Sequence, residues 1–134
     1  MEPWQLWREM ARESERAARL AEADGCLRSA ANRYYYAAYQ AMTAILLYRG
    51  LTPPADREAW SHDETPSLIE GQQPLFVGTM SQRRDMAHRL RELYKVRLIA
   101  DYSGTHDVAA GKVATARKSV GYLFKVADSV LPER

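Results

Sequence analysis

Between positions 29 and 50 the chain reads SAANRYYYAAYQAMTAILLYRG, with apolar or aromatic residues on every side of the helix this segment predicts. Helices that are hydrophobic all round are buried, so this segment is expected to be the central rod on which the others pack. The predicted helix runs over 27–49 and stops at Gly50. Upstream, Trp4, Trp7, Met10 or Ala11, Ala18 and Ala21 recur near helical spacing over 3–23, with Pro3 suited to a first helical position. Charged residues fill the opposite face. Gly25 stands where a left-handed cap would end that helix, so the first two helices should form an antiparallel hairpin.

The middle of the chain is irregular. Residues 51–65 carry Pro53 and Pro54 among scattered charges and end before Pro66, which forbids a continuous helix. A short helix is expected over 66–71, followed by a break over 71–78. A third long helix is predicted over 79–100, with Ser81 able to cap it and Met86, Leu90, Leu93, Tyr94 and Ala100 near one face. After a break around Gly104, residues 107–131 place Val113, Ala116, Val120, Leu123, Ala127 and Val130 on one stripe, and Pro132 ends the helix. No segment alternates as a strand does. The pattern gives an all-α class, four long helices with an irregular middle, in a single domain over 1–134.

Charge changes this picture only locally. With 19 Lys and Arg against 17 Asp and Glu, the net charge of +2 gives no bulk attraction to nucleic acid, so such binding needs a local patch. The clearest basic concentration is Arg83, Arg84, Arg89, Arg91, Lys95 and Arg97 on the third long helix, against Asp85 and Glu92. The longest apolar run, 41–48, is far short of the roughly 20 residues of a membrane span. Charged residues stand where a signal peptide would have its apolar segment. The lone Cys26 reads as a small packing residue, and a single thiol forms no internal disulfide, which fits a cytoplasmic protein.

His62, His88 and His106 are isolated, without the paired spacing of a zinc site, so neither a metal nor another cofactor is expected. No phosphate-binding glycine loop or nucleophile elbow is present, which excludes conventional nucleotide hydrolases and esterases. Arginines, tyrosines and acids at helix ends remain. Arg33 lies in the apolar rod, where a guanidinium is costly unless its five donors are accepted, and Tyr36 is one turn away. Arg97 and Asp101 are four residues apart, with Tyr102 adjacent, at a helix end where a pocket can form. These residues could tie the core together or bind an anion.

The segments Arg33-Tyr34-Tyr35-Tyr36-Ala37, Ser61-His62 and Arg97-Leu98-Ile99-Ala100-Asp101-Tyr102 resemble the R-x-Y-Y-A, S-H and R-x-x-A-D-Y signatures of bacterial and archaeal HEPN-domain proteins. The resemblance implies an antiparallel up-and-down bundle of four or five helices and a homodimer with its groove near the interface. It also implies frequent pairing with a minimal nucleotidyltransferase, in toxin-antitoxin or defence settings. Many relatives are metal-independent ribonucleases; others resemble non-catalytic RNA- or nucleotide-binding modules. By this resemblance Arg33, Tyr36 and Arg97 are binding candidates, and Arg97, Asp101, Tyr102 and His62 are catalytic ones. Tyr102 is also a candidate for modification by a partner nucleotidyltransferase.

Catalytic relatives carry Arg-x4–6-His, whereas here a four-residue gap after Arg97 leads to Tyr102, with Asp101 before it, and no histidine stands at that spacing. An unperturbed tyrosine is a poor base at neutral pH, so His62 is the candidate replacement. Arg83 with His88 and Arg57 with His62 also satisfy the bare spacing.

Overall fold

A computed structural model describes residues 1–71 and 78–133, and its described residues form five helices without a strand. They are α1 (Pro3–Ala23), α2 (Leu27–Tyr48), α3 (Glu64–Gly71), α4 (Met80–Tyr102) and α5 (Ala110–Val130). The all-α bundle expected from the pattern is thus present. The expected break at 71–78 falls on 72–77, outside the described residues.

The central rod is α2, which packs against α1, α4 and α5. Every residue from Ala37 to Leu46 is buried, and its alanines let three neighbouring helices approach closely. The buried stripe of α5 is Val113, Ala116, Val120, Leu123 and Ala127, while Val130 at its end is half-buried. Gly25 adopts φ +80° and the Cys26 N–H reaches back to the Ala21 carbonyl at 2.8 Å, closing α1 and turning the chain into α2. Cys26 itself is exposed, not the packing residue expected of a small apolar side chain, because it stands on this turn rather than inside a helix.

Three helix ends differ from the sequence expectation for identifiable reasons. Residue α3 starts are set by Ser61 and Glu64, which cap each other reciprocally, Glu64 N–H to Ser61 Oγ at 3.1 Å and Ser61 N–H to Glu64 Oε1 at 2.9 Å. The helix therefore begins two residues before Pro66. Thr79, not Ser81, caps α4 through the same device with Gln82. The far end of α4 runs on to Tyr102 because Arg28 of α2 donates to the carbonyls of Ile99, Ala100 and Ser103 at 3.0–3.1 Å. That long-range cap keeps Asp101 helical, one turn beyond Arg97.

Two arginines overturn the expectation that charge marks the solvent face. Arg8 lies in the buried stripe of α1, where it pairs with Asp128 at 3.0 Å and donates to the Pro132 carbonyl. Arg83 is fully buried at the start of α4 and donates to the Gly78 carbonyl at 2.8 Å.

Glu22 ties three helices together: it accepts from the Tyr34 hydroxyl at 2.7 Å and from Arg117 at 2.5 Å. Burial pushes the Glu22 carboxyl up, but the bonds from Tyr34 and Arg117 outweigh this and hold it below its ordinary 4.5. A depressed folded-state pKa gives stability that is present above the unfolded value and lost as pH falls through the folded one. Glu22→Gln is expected to cost about 1–2 kcal/mol at neutral pH. Denaturant titrations across pH should show that deficit shrinking as the medium becomes acidic enough to protonate Glu22; a deficit independent of pH would reject the ion pair as its source.

Candidate functional site: an arginine-lined groove between α2 and α4

The site is assembled from the first turns of α2, the last turns of α4 and one loop histidine. An open groove of about 580 Å³ is lined by Arg28, Asn32 and Arg33 from α2 and by Ala100, Asp101 and Tyr102 from α4. Arg97 is not among these lining residues but contacts two of them, Asp101 and Tyr102. The structure thus brings Arg33, Arg97, Asp101 and Tyr102 together from segments more than sixty residues apart in sequence.

Tyr36 organises the two arginines. The Arg33 guanidinium lies over its ring at 5.0 Å from the centroid and the Arg97 guanidinium at 5.3 Å. Arg97 also borders the rings of Tyr94 and Tyr102, at 6.0 and 5.6 Å. Its side chain is only 12% exposed, and Nε lies 2.8 Å from Asp101 Oδ2. This is an ion-pair contact off the line of a hydrogen bond, so Nε–H has no aligned acceptor among the described residues. Burial opposes the charge on Arg97, yet the surrounding tyrosine and Asp101 oxygens raise its pKa above the ordinary arginine value, so it stays protonated.

Asn32 is the residue that sequence reasoning missed. Its Oδ1 accepts from Arg33 Nε at 2.8 Å, and its Nδ2 donates to Asp101 Oδ2 at 2.9 Å. One amide therefore links the two arginines through the carboxylate. The available signal was a poor helix former beside Arg33 in an otherwise apolar helix.

Several other cations are committed to the fold. Arg28 spends its donors on the α4 carbonyls and on the His106 carbonyl at 2.8 Å. The expected basic face of α4 is largely neutralised: Arg83 is buried, Arg89 pairs with Asp85, Arg91 with Glu70 and Lys95 with Glu92. The Arg83 and His88 pair does not assemble, because positions five apart point to different sides of a helix. Arg83 is enclosed, while His88 is exposed 3.8 Å from Glu92. Arg57, the other spacing candidate, pairs with Glu64 at 3.2 Å.

His62 is not among the groove-lining residues. It stacks on Tyr94 at 4.9 Å, lies 6.2 Å from the Tyr36 ring, and bonds the Tyr35 hydroxyl through Nδ1. Burial raises the Tyr35 pKa well above the usual phenol value, so its hydroxyl keeps its proton and donates it to Nδ1. Burial, then the Arg97 charge, hold His62 below the ordinary imidazole value. The neutral ring therefore carries its proton on Nε2, a tautomer assigned from the partners of Nδ1. Held in this way, His62 anchors the 51–63 loop to α2 and α4.

This geometry defines an all-α bundle protein in which Arg33, lining the groove, and Arg97, beside it, have no partner for their Nη donors among the described residues. The HEPN domain family matches residues 4–132, nearly the whole chain, and the protein belongs to that family. The family is associated with ribonuclease and nucleotide-binding roles. A comparison with curated proteins gave no match.

Proposed function

We propose that this HEPN-domain protein binds RNA through the α2–α4 groove, with Arg33 and Arg97 holding phosphates. One observation carries the reading: neither guanidinium has an acceptor for its Nη donors among the described residues, although Arg97 is nearly enclosed. Asp101 meets only the Nε edge of Arg97 and Asn32 only the Nε of Arg33, so the Nη edges of both guanidiniums are left to take a further anion. Phosphate oxygens provide charge-assisted, bidentate acceptors for that role.

The test is fluorescence anisotropy of a labelled single-stranded RNA across a salt series. Binding should weaken as salt rises, with a log–log slope of about 0.7 per phosphate contact, and Arg33→Ala should reduce that slope by about one contact. No binding at low salt would sink the proposal.

A second reading, metal-independent cleavage, rests on the Tyr94 ring, which touches both His62 and Arg97. It is disfavoured as the main function because His62 presents an N–H rather than a lone pair on Nε2. Gel analysis of the RNA in EDTA decides between the two: intact RNA supports binding alone, and cutting abolished by His62→Ala would establish a ribonuclease.

The setting proposed for this activity is a toxin-antitoxin or defence system in which a homodimer works with a minimal nucleotidyltransferase. Ile99 and Tyr102, exposed beside the groove at 39% and 72%, offer apolar surface for a second copy. Light scattering of the pure protein should give twice the chain mass; a monomer at micromolar concentration would remove the dimer from this account.

A further inference from the structure

Asp101 is an anion in a groove proposed to hold phosphates. On charge alone it opposes such a ligand, so its retention there calls for a role in which a carboxylate oxygen accepts a hydrogen bond. The geometry divides its two oxygens. Both contacts from the protein, Arg97 Nε at 2.8 Å and Asn32 Nδ2 at 2.9 Å, converge on Oδ2. Oδ1 has no partner among the described residues, and Asp101 lines the groove. Oδ2 thus fixes the carboxylate in place, while Oδ1, on a residue that lines the groove, keeps its acceptor capacity unused among the described residues.

We infer that Asp101 Oδ1 accepts a hydrogen bond from a ribose 2′-hydroxyl, making Asp101 the residue by which the groove distinguishes RNA from DNA. The inference rests on the RNA-binding reading above. A single fixed oxygen matches a single hydroxyl donor, whereas a base edge with two adjacent donors would call for both carboxylate oxygens, and Oδ2 is already engaged. The 2′-hydroxyl is also the one donor that RNA possesses and DNA lacks at every residue. Asn32 acts as a positioning residue, because its amide holds the carboxylate while its own oxygen holds Arg33.

Three labelled homopolymers of equal length test this: oligo(rU), oligo(dU) and 2′-fluoro oligo(U). The fluoro form keeps a ribose-like sugar pucker but cannot donate. Wild type should favour oligo(rU) over both others by about tenfold or more, as expected for a hydrogen bond to a charged acceptor. Asp101→Asn, which is isosteric, should bring the oligo(rU) to oligo(dU) affinity ratio close to one, and Asp101→Ala, which removes the acceptor altogether, should do the same.

The ratio is the decisive readout. Damage to Arg97 or to the fold would weaken binding to all three polymers together, since their phosphates are identical. Equal wild-type affinity for oligo(rU) and 2′-fluoro oligo(U), or a ratio unchanged in both Asp101 variants, overturns the inference and leaves phosphate binding intact. If wild type binds none of the three, the RNA-binding reading fails and the inference with it.

Discussion

Arg97→Ala is expected to weaken RNA binding by about 10- to 100-fold, the range of one lost charge-assisted contact. The effect should exceed that of Arg33→Ala. Arg97 has only 12% of its side chain exposed, keeps its Nη donors unpaired among the described residues, and is framed by Tyr36, Tyr94 and Tyr102, whereas Arg33 meets only Tyr36 of these rings. Arg97→Lys should recover part of the affinity, because it restores the charge without the planar fork that can meet two phosphate oxygens or stack on Tyr36. The anisotropy titration that measures wild type reads both variants directly, with circular dichroism as the control for folding. That control is expected to pass. Asp101 keeps its bond from Asn32, and α4 keeps the Arg28 cap in either variant. Wild-type affinity in Arg97→Ala would mean that its guanidinium only ties off the end of α4.

Arg83→Ala should act on stability instead, lowering it by about 3–5 kcal/mol. Arg83 is among the largest fully buried side chains of the described residues, and truncating it opens a cavity while removing the donor to the Gly78 carbonyl. Against the usual 5–15 kcal/mol of a small domain this is a large share. Arg83→Met should cost less, because it fills much of the same volume and removes a charge that is expensive to bury, although the Gly78 carbonyl still loses its partner. Chemical denaturation gives the order of the two. RNA titrations below the unfolding transition should find the folded Arg83→Met protein binding as wild type does. Undiminished stability in Arg83→Ala, with binding lost, would return this residue to the list of functional candidates.

The contrast between these arginines shows where sequence reasoning succeeds. The extent of α1, the all-round burial of α2 and the spacing of the α5 stripe were legible because they follow from periodicity over a few turns. Of the three short signatures, the first and the third contribute residues to the walls of one groove, Arg33 from α2 and Ala100, Asp101 and Tyr102 from α4. By contrast, the six basic residues of α4 looked alike in sequence. One is enclosed, three are neutralised by nearby acids, Arg84 is exposed, and Arg97 is held against the groove acid. Asn32 stood out only as a poor helix former beside Arg33, and its role depends on Asp101, 69 positions away.

The sequence by itself therefore determined the helices, the central position of α2 and the residue types available for chemistry, since burial and capping are largely local preferences. Tertiary structure decided which cations remain to meet a ligand. A guanidinium's availability depends on every acceptor that packing brings within about 3 Å: for Arg28 of α2 these are carbonyls of α4, for Arg83 the Gly78 carbonyl just before its own helix, and for Arg97 a single off-line carboxylate oxygen of its own helix, which Asn32 of α2 holds in place.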